Sequence, residues 1–299
     1  MSESNKRIHV VINPASGQNQ YILNTINGVF REFEISWDVS VTQKSGDARR
    51  FAEKAAVEGA DVVAAYGGDG SVMEVAQGLM GTDVPLTILP GGTANLMSVE
   101  LGIPRDLAKA AQVACSDASV VRDVDMGESG DNKFMLRVGI GFPAEKVILA
   151  DRDLKDKYGL AAYTVAAFKA LGTSQITHFQ LDLDGEQVEV DGIACRVDNS
   201  SNVGMPGVSL VDSTDVSDGY LDIIVLRDKG LASLTSTAAS LLHKETINDA
   251  FHHWRAKEIT IQSDPPQPIQ GDGEIWDHTP ISIKVLPGAM RVLVPGEES

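Results

Sequence analysis

The stretch Asp61-Val-Val-Ala-Ala-Tyr-Gly-Gly-Asp-Gly-Ser71 decides the fold class of this chain. It begins as a short apolar run and then changes to three glycines around one aspartate, at Gly67–Gly70. A short apolar run bounded by turn residues predicts a strand buried on both faces, as in parallel sheets. The glycines let the backbone approach a neighbour closely, because no Cβ intervenes. We therefore predict a strand at Asp61–Tyr66, a tight turn, and a helix at Val72–Met80.

The segments on both sides repeat this alternation of strand and helix. Further buried strands are predicted at Ile8–Ile12 and Pro85–Pro90, and helices at Tyr21–Phe33 and Asp47–Glu58. Trp37–Thr42 alternates apolar and polar residues, which predicts a strand nearer a sheet edge. Strands alternating with helices favour a doubly wound α/β layer with right-handed crossovers, and such layers bind ligands beyond the carboxyl ends of their strands.

After about residue 120 the pattern changes to many short strands separated by turns. Helical patterning remains mainly at Pro143–Gly172 and Leu231–Thr246. Short strands with turn residues between them indicate a mostly antiparallel β-sandwich. The predicted plan is an α/β domain at residues 1–122 and a β domain at 123–299, with a cleft between them and the last strand free to return to the first domain. The predicted strands are Val120–Met126, Lys133–Gly141, His178–Leu183, Gln187–Val190, Gly192–Asp198, Tyr220–Leu226, Glu258–Ile261, Ile281–Val285 and Met290–Val294.

Composition excludes some classes of partner. Acidic residues outnumber basic ones by 42 to 25, for a net charge of −17. A nucleic-acid partner is therefore not expected, since phosphate contacts need clustered Lys and Arg. The start shows no signal-peptide pattern, and the apolar stretch Gly159–Gly172 is shorter than a bilayer span and contains Lys169. We expect a cytoplasmic protein that meets a membrane only peripherally, at its inner face, with Cys115 and Cys195 as reduced, buried thiols.

Three loops with glycines each follow a predicted parallel strand: Asn13–Gly17, Gly67–Ser71 and Leu89–Asn95. Each one alone could be an ordinary strand-to-helix turn. Ser71 and Glu74 have the spacing of a helix capping box, which explains part of the second loop. Three such loops at one sheet edge favour a phosphate-binding site built from backbone N–H groups. Neither a Walker P-loop nor a Rossmann fingerprint occurs in the chain.

The second half supplies carboxylates in two turns. Asp215 and Asp218 could hold Mg²⁺ together with the carbonyl of Tyr220, although on these residues alone a solvated acidic turn capped by Gly219 is the better explanation. Asp272 and Glu274 flank a glycine and suit a metal ligand beside a general base, with a plain hairpin turn as the alternative.

Taken in order, these motifs resemble the diacylglycerol kinase-like family of lipid kinases along nearly the whole chain. The GGDG loop followed by PxGTxN at this spacing is the specific part of the resemblance, and the late DGxLD and DGE segments add to it. The matching segments are Asn13–Gly17, Thr42 with Gly46–Asp47, Gly67–Ser71, Pro90–Asn95, Lys155–Tyr163, Asp215–Asp222 and Asp272–Glu274.

The resemblance implies an NAD kinase-like nucleotide domain, a β-sandwich lipid domain and ATP in the cleft. It implies Glu274 as proton acceptor with Asp272 beside it, and a structural Mg²⁺ on Asp215, Asp218 and the Tyr220 carbonyl, distinct from the Mg²⁺ that accompanies ATP. We expect Asp69 to contact that second Mg²⁺. The implied nucleotide-binding residues are Asn13, Pro14, Ala15, Ser16, Gly17, Thr42, Gly68, Asp69, Gly70, Ser71, Val72, Met73, Glu74 and Thr93.

The expected reaction is transfer of the ATP γ-phosphate to a lipid hydroxyl, of diacylglycerol or a related lipid, presented at a membrane or micelle surface. Met73 and Leu96 depart from the family pattern, at positions where Asn and Asp are common. Lys155 and Lys157 are candidate phosphate contacts, and Ala161–Leu171 a candidate acyl pocket or core helix. A kinase of a soluble substrate, a non-catalytic nucleotide sensor and a homodimer all stay open.

Overall fold

The computed structural model divides the chain into two compact units, Met1–Val124 with Gly288–Ser299 (unit 1) and Asp125–Pro287 (unit 2). The residues that the structure describes are 6–17, 21–141, 176–201, 214–227 and 251–296. The predictions that lie outside them are the helices at Pro143–Gly172 and Leu231–Thr246, the roles of Lys155 and Lys157, and the apolar segment Ala161–Leu171.

Unit 1 is the predicted α/β layer. Its strands pair in parallel in the order β2-β1-β3-β4, so the alternating strand β2 lies at the edge as expected. All six residues of β3 are buried, which explains the unbroken apolar run that precedes the glycines. The elements are β1 Arg7–Ile12, α1 Ile22–Glu32, β2 Ser36–Val41, α2 Asp47–Val57, β3 Val62–Gly67, α3 Asp69–Leu79, β4 Leu86–Pro90, α4 Leu96–Glu100 and α5 Leu107–Cys115.

Sequence features account for the packing of α1 and for the start of α5. Helix α1 buries Ile26, Val29 and Phe30, a three-to-four-residue spacing that puts one stripe on the sheet. Helix α5, which we did not predict, begins where the Asp106 side chain accepts the N–H of Lys109, and a side-chain cap of this kind contributes about 1 kcal/mol.

Unit 2 is a β structure built on two antiparallel ladders, as predicted. One runs in the order β12-β11-β10-β7-β14-β15, and the other joins β13 to β8 and to the first part of β16, with β9 beyond β8. Phe134, Phe179, Ile223 and Ile261 are fully buried in its core. The elements are β5 Val120–Ser129, β6 Asn132–Phe134, β7 Arg137–Ile140, β8 Thr177–Leu183, β9 Glu186–Gly192, β10 Ala194–Asp198, β11 Leu221–Leu226, β12 Phe251–Ala256, β13 Glu258–Asp264, β14 Pro268–Gly271, β15 Glu274–His278 and β16 Ile281–Val294.

The last strand, β16, belongs to both units by sequence. In unit 2 its residues Ile281–Lys284 pair antiparallel with β13, whereas in unit 1 Val292 pairs in parallel with Leu86 of β4.

Both cysteines are buried and unpaired, and burial raises the pKa of the Cys115 thiol to about 11. The expected burial of both cysteines is thus confirmed.

Candidate active site

The second and third glycine loops of unit 1 lie against each other at the carboxyl ends of β3 and β4. The Gly67 carbonyl accepts the N–H groups of Gly91 and Gly92, at 2.9 and 3.2 Å. A Cβ on Gly92 would lie 2.6 Å from the Gly68 Cα, far inside contact distance. Glycine is therefore required at this crossing because two backbones touch there, and the result is a concave backbone surface at the sheet edge.

The first loop is tied to the second by side chains. The Asn13 amide Nδ2 donates to Ser71 Oγ at 2.9 Å, while Asn13 Oδ1 accepts the N–H of Ala15 at 3.0 Å. A Cβ on Gly67 would lie 2.5 Å from Ser71 Oγ, so the glycine makes room for this bond. Three loops that the sequence separates by about 80 residues thus form one hydrogen-bonded edge.

Asn95 shapes the end of the third loop. Its backbone is left-handed, with a φ of 50°, and its side chain both accepts the N–H of Gly92 at 2.9 Å and donates to the Gly92 carbonyl at 2.7 Å. This closes the turn over residues 92–95 and leaves Thr93 exposed at its tip. The predicted nucleotide contact of Thr93 stays a prediction.

Asp69 has a structural task at the same edge. Its two carboxylate oxygens accept the N–H groups of Leu96 and Met97, each at 3.1 Å, at the start of α4. The carboxylate therefore fastens the second loop to the segment that follows the third. Its expected contact with the Mg²⁺ of ATP stays a prediction.

The capping box expected for Ser71 and Glu74 is wrong. Helix α3 begins at Asp69, after Gly68, and no side chain caps it. Glu74 instead reaches α2, where its oxygens accept the N–H groups of Gly46 at 3.0 Å and Ala48 at 3.1 Å. Spacing alone could not reveal this, because the helix begins three residues before Val72, which places Ser71 inside the helix and not at its N-cap.

The remaining predicted nucleotide residues divide by exposure. Thr42 follows β2, and its N–H bonds the Ile12 carbonyl at 2.9 Å. Val72 and Met73 are buried side chains of α3, so a nucleotide would meet them only through the backbone. The residues that present exposed or half-exposed groups at this edge are Asn13, Pro14, Ala15, Ser16, Gly17, Gly68, Asp69, Gly70, Ser71, Glu74 and Thr93.

One residue of this edge was missed by the sequence reasoning. Tyr66, the only large side chain in the run Val62–Tyr66, is fully buried beneath the first and third loops. A Cβ on Gly17 would lie 2.2 Å from its hydroxyl, and one on Gly91 would lie 2.8 Å from its ring. An aromatic residue directly before the glycines was the available indication.

In unit 2, Asp272 and Gly273 form the two-residue turn between β14 and β15. Their φ angles are 45° and 94°, and Gly271 pairs with Glu274 on either side. Two positive φ angles are typical of a type I′ hairpin turn, for which Asp-Gly is a favoured sequence. The turn leaves the Glu274 side chain exposed.

The Asp272 carboxylate holds this turn in place. It accepts the N–H groups of Met135 at 2.7 Å, Arg137 at 2.8 Å and Leu136 at 3.1 Å, while the Asp272 N–H donates to the Arg137 carbonyl at 3.0 Å. Burial raises the pKa of Asp272 to about 6, against the opposing effect of these N–H groups. With its oxygens so engaged, Asp272 is a positioning residue in this geometry, and its predicted share in catalysis stays a prediction.

A second Asp-Gly-Glu turn, at Asp184–Glu186, joins β8 to β9 in the same unit. Its φ angles of 53° and 90° match those of the first turn. The Asp184 carboxylate accepts the N–H groups of Lys257 and Glu258, the latter at 2.8 Å. The motif therefore describes a pinned hairpin turn that occurs twice in the chain.

The acidic turn predicted to hold a structural Mg²⁺ has side-chain partners of its own. Asp218 accepts the N–H of Tyr220 at 3.0 Å on one oxygen and pairs closely with the Arg255 guanidinium on the other. Asp215 accepts the N–H of Ser217 at 3.0 Å. Within the described ranges no cluster of three His, Cys, Asp or Glu is placed to hold a metal.

This arrangement fits a structural Mg²⁺ poorly, since such a cation needs several oxygen atoms free to converge on it. Arg255 and Lys257 also lie over the Tyr220 ring, at 4.7 and 4.8 Å from its centroid, so the turn already has cationic neighbours. The predicted Mg²⁺ on Asp215, Asp218 and Tyr220 stays a prediction, and no chemical step below depends on it.

The part of the chain with described coordinates contains no helix of sufficient length and apolarity to cross a bilayer.

Comparison with known proteins agrees with this geometry. Residues 7–129 match the family described as "Diacylglycerol kinase catalytic domain", and residues 137–294 match "YegS C-terminal NAD kinase beta sandwich-like domain". The chain is 28% identical to the diacylglycerol kinase of Bacillus subtilis, with 98% of each chain covered. It is 31% identical to a Pseudomonas syringae pv. tomato protein named "Probable lipid kinase YegS-like", over 86% of this chain and 84% of that one.

Solved structures show the same likeness. A crystal structure described as a diacylglycerol kinase from Bacillus anthracis str. Sterne superimposes with a TM-score of 0.81 at 26% identity, covering 97% of both chains. Two family models that together span most of the chain, and a fold shared over its length, carry the assignment that the motifs alone had suggested. The chain belongs to the diacylglycerol kinase-like family of lipid kinases.

Proposed function

We propose that this protein transfers the γ-phosphate of ATP, with Mg²⁺, to a hydroxyl group of diacylglycerol or a closely related lipid. The observation that carries the nucleotide part is the contact between Gly68 and Gly92, because it builds a side-chain-free edge where backbone N–H groups can surround phosphate. The lipid part rests on membership of the family.

The N–H groups of the loops would act as fixed dipoles against the phosphate charge. Unit 1 has no Walker lysine, so backbone groups have to supply this stabilisation together with the cation that accompanies ATP. When bound, Mg²⁺ neutralises charge on the phosphate oxygens. Asn13, Ser71 and Asn95 keep the loops in one shape before ATP arrives, which lowers the entropy cost of organising the site.

Glu274 is the proposed proton acceptor for the attacking hydroxyl. Glu274 is exposed, and it follows a turn whose backbone is fixed by Asp272. The carboxylate is therefore accessible, while the backbone that carries it is held in place. General-base assistance of this kind is worth ~10²–10⁴-fold in rate. Phosphoryl transfer needs little else from the protein beyond position and charge.

The experiment is transfer of labelled γ-phosphate from Mg·ATP to micelles containing diacylglycerol, monoacylglycerol or a sphingoid base, for the wild type and Glu274→Gln. We expect a labelled lipid that disappears in the variant. Label in a water-soluble acceptor would instead indicate a soluble-substrate kinase. ATP binding without transfer to any lipid would indicate a nucleotide sensor.

A further inference from the structure

We infer that the Tyr66 hydroxyl is a positioning group of the nucleotide site, and that it gains a hydrogen-bond partner only when nucleotide binds. This inference rests on the proposed function, because it assigns Tyr66 to the ATP-binding edge of unit 1. It goes beyond that function by naming a residue outside the loop motifs and a change that accompanies binding.

The first observation is that the hydroxyl is buried without a partner. Tyr66 is 0% exposed, and none of the described residues accepts or donates a hydrogen bond at its hydroxyl. A buried polar group left unpaired is costly, and folded proteins rarely keep one without a reason. Burial also raises the pKa of Tyr66, so the hydroxyl keeps its proton and can donate.

The second observation is where this hydroxyl lies. It sits directly below Gly17, whose missing side chain leaves space for it, and the Tyr66 ring lies below Gly91. Gly17 has a φ of 88° and is exposed, so a single backbone layer separates the hydroxyl from the surface of the first loop. The residue thus supports both loops that flank the proposed phosphate site.

The third observation is the stiffness of the surroundings. The Asn13 N–H bonds the Tyr66 carbonyl at 2.9 Å, and the Gly67 carbonyl bonds Gly91, so the backbone on either side of the ring is fixed. The first loop is held at Asn13 and Ala15 by the Asn13 side chain, and Gly17 covers the hydroxyl with a left-handed backbone. When phosphate binds the N–H groups of this loop, we expect the loop to shift. The shift would bring an acceptor oxygen, from a loop carbonyl or from the phosphate, next to the Tyr66 hydroxyl.

Thr87 supplies a matched control. It is also 0% exposed with an unpartnered hydroxyl in the described structure, and it lies on β4 opposite Ala64, away from the carboxyl ends of the strands. A hydroxyl that is merely unsatisfied should behave like Thr87. A hydroxyl that serves the nucleotide should behave differently once ATP is present.

The experiment compares Tyr66→Phe and Thr87→Val by thermal unfolding without ligand and by calorimetric titration with Mg·ATP. Without ligand, both variants should unfold a few degrees higher than the wild type, because each loses an unsatisfied buried group. With ATP, Tyr66→Phe should bind up to about tenfold more weakly, the effect of losing one hydrogen bond of ordinary strength, whereas Thr87→Val should bind as the wild type does.

A double-mutant cycle with Gly17→Ala tests the placement of the hydroxyl in solution. The new methyl group would meet the hydroxyl at 2.2 Å but the ring carbon Cζ only at 3.4 Å. Gly17→Ala should therefore lower the unfolding temperature less in the Tyr66→Phe background than in the wild type, since the φ strain is common to both.

Each other result overturns the inference. Unchanged ATP affinity in Tyr66→Phe would make the hydroxyl a plain packing defect. A lower unfolding temperature for Tyr66→Phe without ligand would mean that the hydroxyl already has a partner. Failure of the wild type to bind ATP would reject the proposed function itself, and with it this role, whereas the first two results leave the proposed function intact.

Discussion

The turns at Asp184–Glu186 and Asp272–Glu274 have the same three residues, the same pair of positive φ angles and the same use of aspartate as an anchor. They differ in what the anchor holds. Asp184 is exposed and takes N–H groups where β13 begins, whereas Asp272 is partly buried and takes three successive N–H groups at Met135–Arg137. The comparison teaches that the motif specifies a rigid turn, so that a catalytic role for one of the two glutamates would have to come from the surroundings of its turn.

The largest expected difference between the turns is in turnover. Glu274→Gln should lower the rate of phosphate transfer ~10²–10⁴-fold, because the attacking hydroxyl loses its proton acceptor. The matched Glu186→Gln should leave the rate unchanged. Steady-state assays of both variants with Mg·ATP and micellar lipid make the test, and equal rates for the two variants would remove the functional difference between the turns.

Replacement of the anchors should separate position from simple stability. Asp272→Asn and Asp184→Asn each leave backbone N–H groups facing an amide with a single acceptor oxygen, so each should lower the free energy of unfolding by about 1–3 kcal/mol. Only Asp272→Asn should also lower turnover, by about tenfold or more, while its KM for ATP stays constant. Urea unfolding and initial rates measure both quantities. A parallel loss of activity in both variants would trace the effect to stability.

Replacement of the turn glycines should cause a smaller loss of stability, and the loss should be similar in the two turns. Gly273 and Gly185 have φ angles of 94° and 90°, and a Cβ added at either position would have no neighbouring atom within 4 Å. An alanine should therefore cause the same backbone strain at each position. Both Gly→Ala variants should lose about 1–2 kcal/mol of stability. If only Gly273→Ala also lowered turnover, the Asp272–Glu274 turn would have to be rigid for the reaction.

The last expected effect is a pH dependence of stability that arises at the Asp272–Glu274 turn. The pKa of Asp272 is raised to about 6 in the folded protein, from a usual value of 3.8, so the folded state holds the extra proton between these values. Its contribution to stability is therefore full below pH 4 and is lost as the pH rises through about 6. The difference in free energy of unfolding between the wild type and Asp272→Asn should therefore become smaller as the pH rises from about 4 to about 6. Thermal unfolding at several pH values would measure this difference.

Much of unit 1 could be predicted from sequence, because its information is local. An apolar run followed by glycines predicts a buried parallel strand and a close turn, and β1, β3 and β4 confirm it. The capping box at Ser71 and Glu74 failed, since the partner of Glu74 is set by how α2 packs on α3. Helix α5 and the strands β12, β14 and β15 were not predicted.

In the candidate site too, features encoded locally could be predicted from the sequence, whereas features set by distant contacts could not. The exposed Glu274 and the loop glycines could be found as motifs, but the task of Asp272 depends on contacts with residues about 135 positions away. The second Asp-Gly-Glu turn shows that even the motif is ambiguous on its own. Tyr66 escaped because a buried aromatic residue in a strand usually means only core packing.

The route of the final strand bears on how the protein is made. Unit 1 receives its fifth parallel strand from β16, whose Val292 lies some 200 residues after its partner Leu86. On the ribosome, the first 124 residues therefore emerge with one side of β4 still uncovered, and all of unit 2 is synthesised before that side can be closed. The strand that carries the third glycine loop would then be the last of the sheet to gain its neighbour, although it is encoded early in the chain.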